Sequence, residues 1–178
     1  LRVEVDPEQK LGAPSVLNVV PAVGTSTRME LVLVPVYSGT FVPTVPSAAA
    51  VIDEIVRRFP IPRANISVSV RAPHVLVGVT DGLDTSADWS SALSELNQLR
   101  AAENPNNPYR YYFGFVRRSA GSIAGIGYVP GRTAIGYDGV AWPRTMSHEL
   151  GHNLSRLHAP CGGPASPDPN YPYPAGAL

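Results

Sequence analysis

The chain has 178 residues, a length that suits one domain with a hydrophobic core of its own. Its 14 basic and 14 acidic side chains balance, so we expect no general attraction to nucleic acid or to an anionic membrane surface. No apolar run approaches the ~20 residues that span a bilayer, and the single cysteine, Cys161, excludes an internal disulfide framework.

The first part of the chain alternates between strand and helix patterns. Residues 1–28 mix short strand-like pieces with turn residues, and we interpret them as a leading segment. Residues 30–37 form an almost unbroken apolar run, typical of a strand covered on both faces. Residues 47–59 predict a helix that Ser47 caps. The apolar side chains on one face of this helix are Val51, Ile52, Ile55, Val56 and Phe59.

The middle of the chain continues the alternation. Residues 66–79 predict a strand, a break at Pro73 and a second extended piece. Residues 84–103 predict a second helix, and residues 109–118 predict an aromatic strand. Alternating strands and helices favour parallel pairing through right-handed crossovers.

Two short strands, residues 123–129 and 133–137, follow and are joined by a turn at Pro130. So tight a connection allows the last strand pair to be antiparallel at one edge of the sheet. Residues 143–154 predict a third helix, and residues 159–178 are rich in proline and glycine, which predicts an irregular segment. The expected fold class is therefore α+β, with a twisted, mostly parallel sheet, an antiparallel edge strand and two backing helices beside the third one.

Three of the four histidines lie in the short run HELGHNLSRLH. Four residues of helix advance by about 400°, so His148 and His152 lie one above the other on the same face and can reach one cation. Glu149 lies about 100° around the helix, where it can take a proton from a water molecule beside the metal. His158 can join them only if the helix ends near residues 154–156 and the chain bends back. Three imidazoles would make an open, catalytic zinc site, whereas a closed structural site has a fourth protein ligand.

This run resembles HExxHxxGxxH, the zinc-binding consensus of the metzincin clan of metalloendopeptidases, and the chain is similar to secreted bacterial metzincin-like proteases. His148, Glu149, His152 and His158 match the consensus position by position, and Ser155 stands at the consensus glycine. In the family that glycine takes the bend before the third histidine at positive φ, a region that disfavours any other residue.

The resemblance implies an organisation for the whole chain. Residues 29–158 would form the upper lobe of a single metalloprotease domain spanning 1–178, and residues 159–178 would begin the lower lobe. The antiparallel edge strand of the upper lobe would bind a peptide substrate by strand addition. Residues 122–129 are the candidate edge, with Gly125, Ile126 and Gly127 as substrate-binding residues.

The family also carries a methionine turn after the third histidine, whereas the only methionines here are Met29 and Met146. Either the lower lobe is missing from this chain or it is built unlike that of the clan, and we favour its absence. The partners would then include a missing C-terminal segment or further domains of the same precursor. The chain begins with Leu1 and not with methionine, which predicts either a processed product or a deliberately trimmed chain. Together with the family, this predicts a secreted or extracellular protein.

Our hypothesis from the sequence is a zinc-dependent endopeptidase with one catalytic Zn²⁺, acting on a protein or peptide substrate. The alternative is a zinc-bearing module that binds protein or glycoprotein without cutting it, or an inactive fragment. If the three histidines were instead unrelated surface or core residues, the protein would have no zinc site at all. A gluzincin is disfavoured because its third ligand is a downstream glutamate, and no glutamate follows Glu149. The fourth histidine, His74, is interpreted as a buried histidine rather than a ligand.

Overall fold

The computed structural model describes residues 27–117 and 122–171, and the backbone of two strands nearer the start of the chain. These strands, β1 (Arg2–Val5) and β2 (Ser15–Asn18), pair antiparallel in a sheet of their own. The rest of the predicted leading segment up to residue 26, and residues 172–178 of the predicted lower lobe, lie outside the described residues.

A second sheet of six strands forms the centre of the molecule. Its strands are β3 (Met29–Tyr37), β4 (Ile66–Val70), β5 (His74–Val75), β6 (Arg110–Val116), β7 (Gly125–Gly127) and β8 (Thr133–Tyr137). The order is β4-β3-β6-β8-β7, with β5 beside the end of β3. Every pair is parallel except β7 with β8, which is antiparallel at the edge. The predicted fold, with a mostly parallel sheet and an antiparallel edge strand, is confirmed.

Three helices pack on this sheet: α1 (Ala48–Arg58), α2 (Ser86–Glu103) and α3 (Trp142–Asn153). Alternate residues of β3 face opposite sides. Leu31 and Leu33 pack in one apolar cluster with side chains of α1 and α3, whereas Val32 and Val34 pack in another with side chains of α2. Burial on both faces explains why residues 30–37 are apolar without alternation. None of the helices in the described ranges is both long and apolar enough to cross a bilayer.

The helix α1 shows the predicted cap, since the Ser47 hydroxyl accepts a hydrogen bond from the Ala50 N–H. Its predicted apolar face is wrong at Val56, which is 39% exposed. Glu54 is buried instead, because the Arg58 guanidinium donates to its carboxylate and the Ser147 hydroxyl of α3 lies 3.4 Å from it. A buried charge with such partners is tolerated where a lone one is not.

The helix α2 begins at Ser86, two residues later than predicted, because Thr85 caps it. The Thr85 hydroxyl accepts from the Asp88 N–H at 3.2 Å, and the Asp88 carboxylate accepts from the Thr85 N–H at 2.8 Å. This reciprocal capping box satisfies two N–H groups at the start of the helix.

Candidate metal centre

The helix α3 carries the first two histidines of the HELGHNLSRLH run. Met146 and Leu150 are fully buried on its inner side, in the same apolar cluster as β3 and α1. This apolar stripe fixes how the helix is rotated about its axis. The more accessible side of the helix therefore presents His148 and His152.

The three imidazoles of His148, His152 and His158 form a compact group. Their candidate ligand nitrogens all lie within 4.8 Å of one another, and the Nε2 atoms of His148 and His158 are 3.2 Å apart. Ligand nitrogens at ~2.0–2.1 Å from a tetrahedral cation are about 3.3 Å apart, so the group has the dimensions of a metal site. These three residues could hold a metal ion.

Backbone carbonyls orient two of the rings. The Arg156 oxygen lies 2.7 Å from Nδ1 of His152, and the Ala165 oxygen lies 2.7 Å from Nδ1 of His158. A carbonyl can only accept, so each Nδ1 carries the proton and donates it. Each Nε2 then keeps its lone pair for a cation, as is usual in histidine metal sites.

His158 reaches the group through a sharp bend at the end of α3. Ser155 adopts a φ of 67°, and the Arg156 N–H donates to the Gly151 carbonyl at 2.9 Å. The chain then folds back over itself, and the Asp168 N–H donates to the His158 carbonyl at 2.8 Å. Ser155 therefore occupies the left-handed region, which favours glycine over any residue with a Cβ atom.

Glu149 lies beside the histidines but is far more buried than they are, with 5% of its surface exposed. Burial raises the pKa of its carboxyl to about 7. The pKa of His148 is lowered, first by burial and then by the nearby His152, His158 and Arg144. A lowered pKa favours the neutral imidazole, which is the form that binds metal.

An open cavity of about 340 Å³ borders this group. All seven residues that the sequence predicts for the site line it, together with Val129, Leu157 and Ser166. The predicted residues are Gly125, Ile126, Gly127, His148, Glu149, His152 and His158. The structure thus brings the edge strand β7, the glutamate and the three histidines to one cavity.

Two other residues with possible ligand atoms lie outside the group. His74, in β5, has its Nε2 atom 3.5 Å from the Glu95 carboxylate. Cys161 is exposed and lines a separate cavity of about 520 Å³ that also reaches the three histidines. Neither is part of the compact group among the described residues.

Sequence reasoning missed two residues beside the site. The Asn153 side chain donates to the carbonyls of Tyr128 and Thr133, both at 3.0 Å, and so joins the end of α3 to the β7–β8 hairpin. No sequence signal could reveal those long-range partners. Arg144 lies on α3 one helical turn before His148, and this spacing could have placed it beside the histidines.

Comparison with known proteins gives a likeness to solved structures but none in sequence. No protein-family model matches the chain, and no curated protein is significantly similar to it in sequence. The crystal structure of metalloproteinase-II from Bacteroides fragilis matches with a TM-score of 0.48 and 16% sequence identity. The match covers 78% of this chain and 46% of that protein, so the chain spans less than half of its length. A likeness of this size carries no argument about activity.

Proposed function

We propose that this chain is the zinc-binding catalytic part of a metzincin-like metalloendopeptidase. His148, His152 and His158 would be the metal ligands, and Glu149 the general base. The observation that carries the proposal is the convergence of three candidate ligand nitrogens within 4.8 Å, next to a buried glutamate, in a cavity that an edge strand borders.

Zinc is the metal that this donor set fits best in our proposal. Imidazole nitrogen suits zinc among several transition metals, and three histidines without a fourth protein ligand are typical of catalytic zinc. No carboxylate or thiolate of the described residues joins the group. When bound there, zinc would supply a Lewis acid that acidifies water and polarises a carbonyl.

Glu149 would move the proton in peptide hydrolysis. Its carboxylate would accept a proton from the attacking water and later deliver it to the leaving amine. In the metal-free protein the pKa of Glu149 is about 7, so this buried carboxyl can hold a proton near neutral pH. Burial keeps bulk water away from the carboxylate and is the cause of that pKa.

The edge strand β7 would hold the substrate. Among the described residues, β7 pairs with β8 alone, so its other edge has no neighbouring strand. Gly125, Ile126 and Gly127 also line the cavity beside the histidines. An extended peptide could therefore add to this edge through main-chain hydrogen bonds, with its scissile bond beside Glu149. The same proposal includes a protein or peptide substrate and action outside the cell. It also includes a lower lobe that further residues of the precursor supply.

Peptide hydrolysis by matched glutamate variants tests the proposal. We expect the zinc-loaded protein to cut casein or a peptide library, and a chelator to stop it. Glu149→Gln should retain zinc by metal analysis and lose hydrolysis, whereas Glu103→Gln, an exposed glutamate at the end of α2, should retain both. Equal hydrolysis by wild type and Glu149→Gln would reject the role of Glu149. Zinc with peptide binding but without cleavage in the wild type would favour the non-catalytic binding module.

A further inference from the structure

A second cavity adjoins the candidate metal centre. It measures about 380 Å³ and shares Gly125, His148 and Glu149 with the first cavity, but neither His152 nor His158 lines it. It therefore extends from the group on the side of Glu149. Arg144 is exposed and lines this cavity.

Among the described residues, the guanidinium of Arg144 differs from most others in having no hydrogen-bond or ion-pair partner. In residues 27–117 and 122–171, no hydrogen bond or ion pair of its side chain is present. Seven other arginines are paired with carboxylates, namely Arg28, Arg57, Arg58, Arg63, Arg71, Arg110 and Arg117. Glu149 is the one acidic side chain among the described residues that line the second cavity, and it forms no ion pair with Arg144. The guanidinium of Arg144 is therefore a positive charge in this cavity without a paired carboxylate.

We propose, on the basis of the proposed peptidase function, that Arg144 makes the protein selective for substrates with a carboxylate next to the scissile bond on its leaving-amine side. Glu149 must lie near the leaving amine in order to protonate it. The residue that departs with this amine would therefore face the cavity that extends from Glu149. Arg144 would be a specificity residue there and not a catalytic one.

A guanidinium suits this task because its planar fork binds a carboxylate through two parallel hydrogen bonds. Two sources of carboxylate share this chemistry: the side chain of aspartate or glutamate, and the C-terminus of a chain from which one residue is removed. Because Arg144 is exposed, we expect a selectivity of about fivefold that weakens as salt is added.

A cleavage experiment measures this selectivity. The zinc-loaded protein digests acetylated, amidated peptide pairs that differ only in Glu or Gln after the cut bond, and kcat/KM is compared. We expect about a fivefold preference for Glu that Arg144→Gln abolishes and Arg144→Lys retains in part. Arg63→Gln is the matched control, because Arg63 is exposed, pairs with Asp53 and lines neither cavity. A free C-terminal carboxylate on the residue after the bond, compared with its amide, distinguishes the second source from the first.

A binding experiment gives a readout that does not depend on hydrolysis. Fluorescence anisotropy measures the affinity of zinc-loaded Glu149→Gln for a labelled, amidated nonapeptide with Glu at its centre and alanine or glycine elsewhere, and for its Gln counterpart. The role of Arg144 is supported if the Glu peptide binds more tightly than the Gln peptide and if this difference disappears in the double variant Glu149→Gln, Arg144→Gln. This result would hold even if the wild type cuts nothing and the peptidase proposal fails. Equal affinity for both peptides, or a preference that Arg144→Gln leaves intact, overturns it.

Discussion

Gly125 of the edge strand lies directly against Glu149 of α3: a Cβ atom added to the glycine would come within 3.1 Å of the Cγ atom of the glutamate. Gly127 makes the same kind of approach, since a Cβ atom there would lie 3.0 Å from the Glu149 carbonyl oxygen. The backbone of the strand therefore lies directly against the Glu149 side chain and backbone, with no side chain of the two glycines between them. This contact fixes the distance between the proposed substrate edge and the proposed general base.

The first prediction concerns Gly125→Ala. Its new methyl group would lie 2.8 Å from the Ile135 carbonyl oxygen and 2.8 Å from Cγ2 of Thr145, and the carbonyl belongs to the neighbouring strand and cannot easily move. We expect a loss of about 1–3 kcal/mol in the free energy of unfolding, together with reduced peptide hydrolysis. Urea denaturation and kcat/KM check the two effects.

Gly151→Ala is the matched control for that variant. A Cβ atom there meets nothing closer than the Cβ atom of Arg156 at 3.9 Å, and the residue lies inside α3. Alanine should therefore stabilise the helix by about 0.5–1 kcal/mol. Equal stability of the two alanine variants would contradict the packing of β7 on α3.

The second prediction concerns Ser155→Gly. Serine at a φ of 67° is in the left-handed region, which costs about 1 kcal/mol more for a residue with a Cβ atom than for glycine. We expect the glycine variant to unfold at a higher temperature and to bind zinc at least as tightly, because the bend that carries His158 is retained. A lower melting temperature would show that the serine side chain stabilises the bend.

The third prediction is a pH dependence of stability in the metal-free protein. Burial raises the pKa of Glu149 to about 7 from the ordinary 4.5, so between these values the folded state holds a proton that the unfolded chain has released. Stability from this group is fully present below about pH 4.5 and is lost as the pH rises through about 7. The glutamine of Glu149→Gln cannot ionise. The free energy of unfolding of this variant, relative to the wild type, should therefore rise by up to about 3 kcal/mol between about pH 5 and about pH 8.

Urea denaturation in the presence of a chelator measures this difference at both pH values. For comparison, the stability that Asp88→Asn removes should depend on pH in the opposite direction. A hydrogen bond from Thr85 lowers the pKa of Asp88, so the stability from that carboxylate is present above its ordinary pKa and is lost as the pH falls. A stability difference between wild type and Glu149→Gln that stays constant with pH would show that the glutamate is not buried in solution.

The fourth prediction concerns Asn153→Ala. This change removes both hydrogen bonds from the end of α3 to the β7–β8 hairpin and leaves the carbonyls of Tyr128 and Thr133 with one donor fewer. We expect a loss of about 1–3 kcal/mol and faster amide exchange in the hairpin than in β3. Asn106→Ala, an exposed change, should leave both quantities unaltered. Exchange that quickens equally in β3 and in the hairpin would argue against a local connection.

Patterns of short range made the fold predictable from the sequence. The apolar run of β3, the Ser47 cap and the tight turn before β8 each depend on neighbouring residues, and each gave the observed element. The burial of Glu54 could not be predicted, because it depends not only on its near neighbour Arg58 but also on α3, whose Ser147 lies 93 positions away in the chain. Helical spacing likewise brought His148 and His152 together, but the carbonyl of Ala165 that orients His158 belongs to an irregular segment without periodicity.

The bend at Ser155 separates the three histidines: His148 and His152 lie on the helix before it, and His158 lies in the irregular segment after it. Two are fixed by a helix whose inner side is buried, whereas the third depends on a few hydrogen bonds within residues 158–168. Brief local opening of that short segment would withdraw one nitrogen and leave the helical pair in place. Affinity for a cation would then vary with the opening equilibrium of a surface loop, and mutations that loosen this loop would weaken chelation without unfolding the sheet.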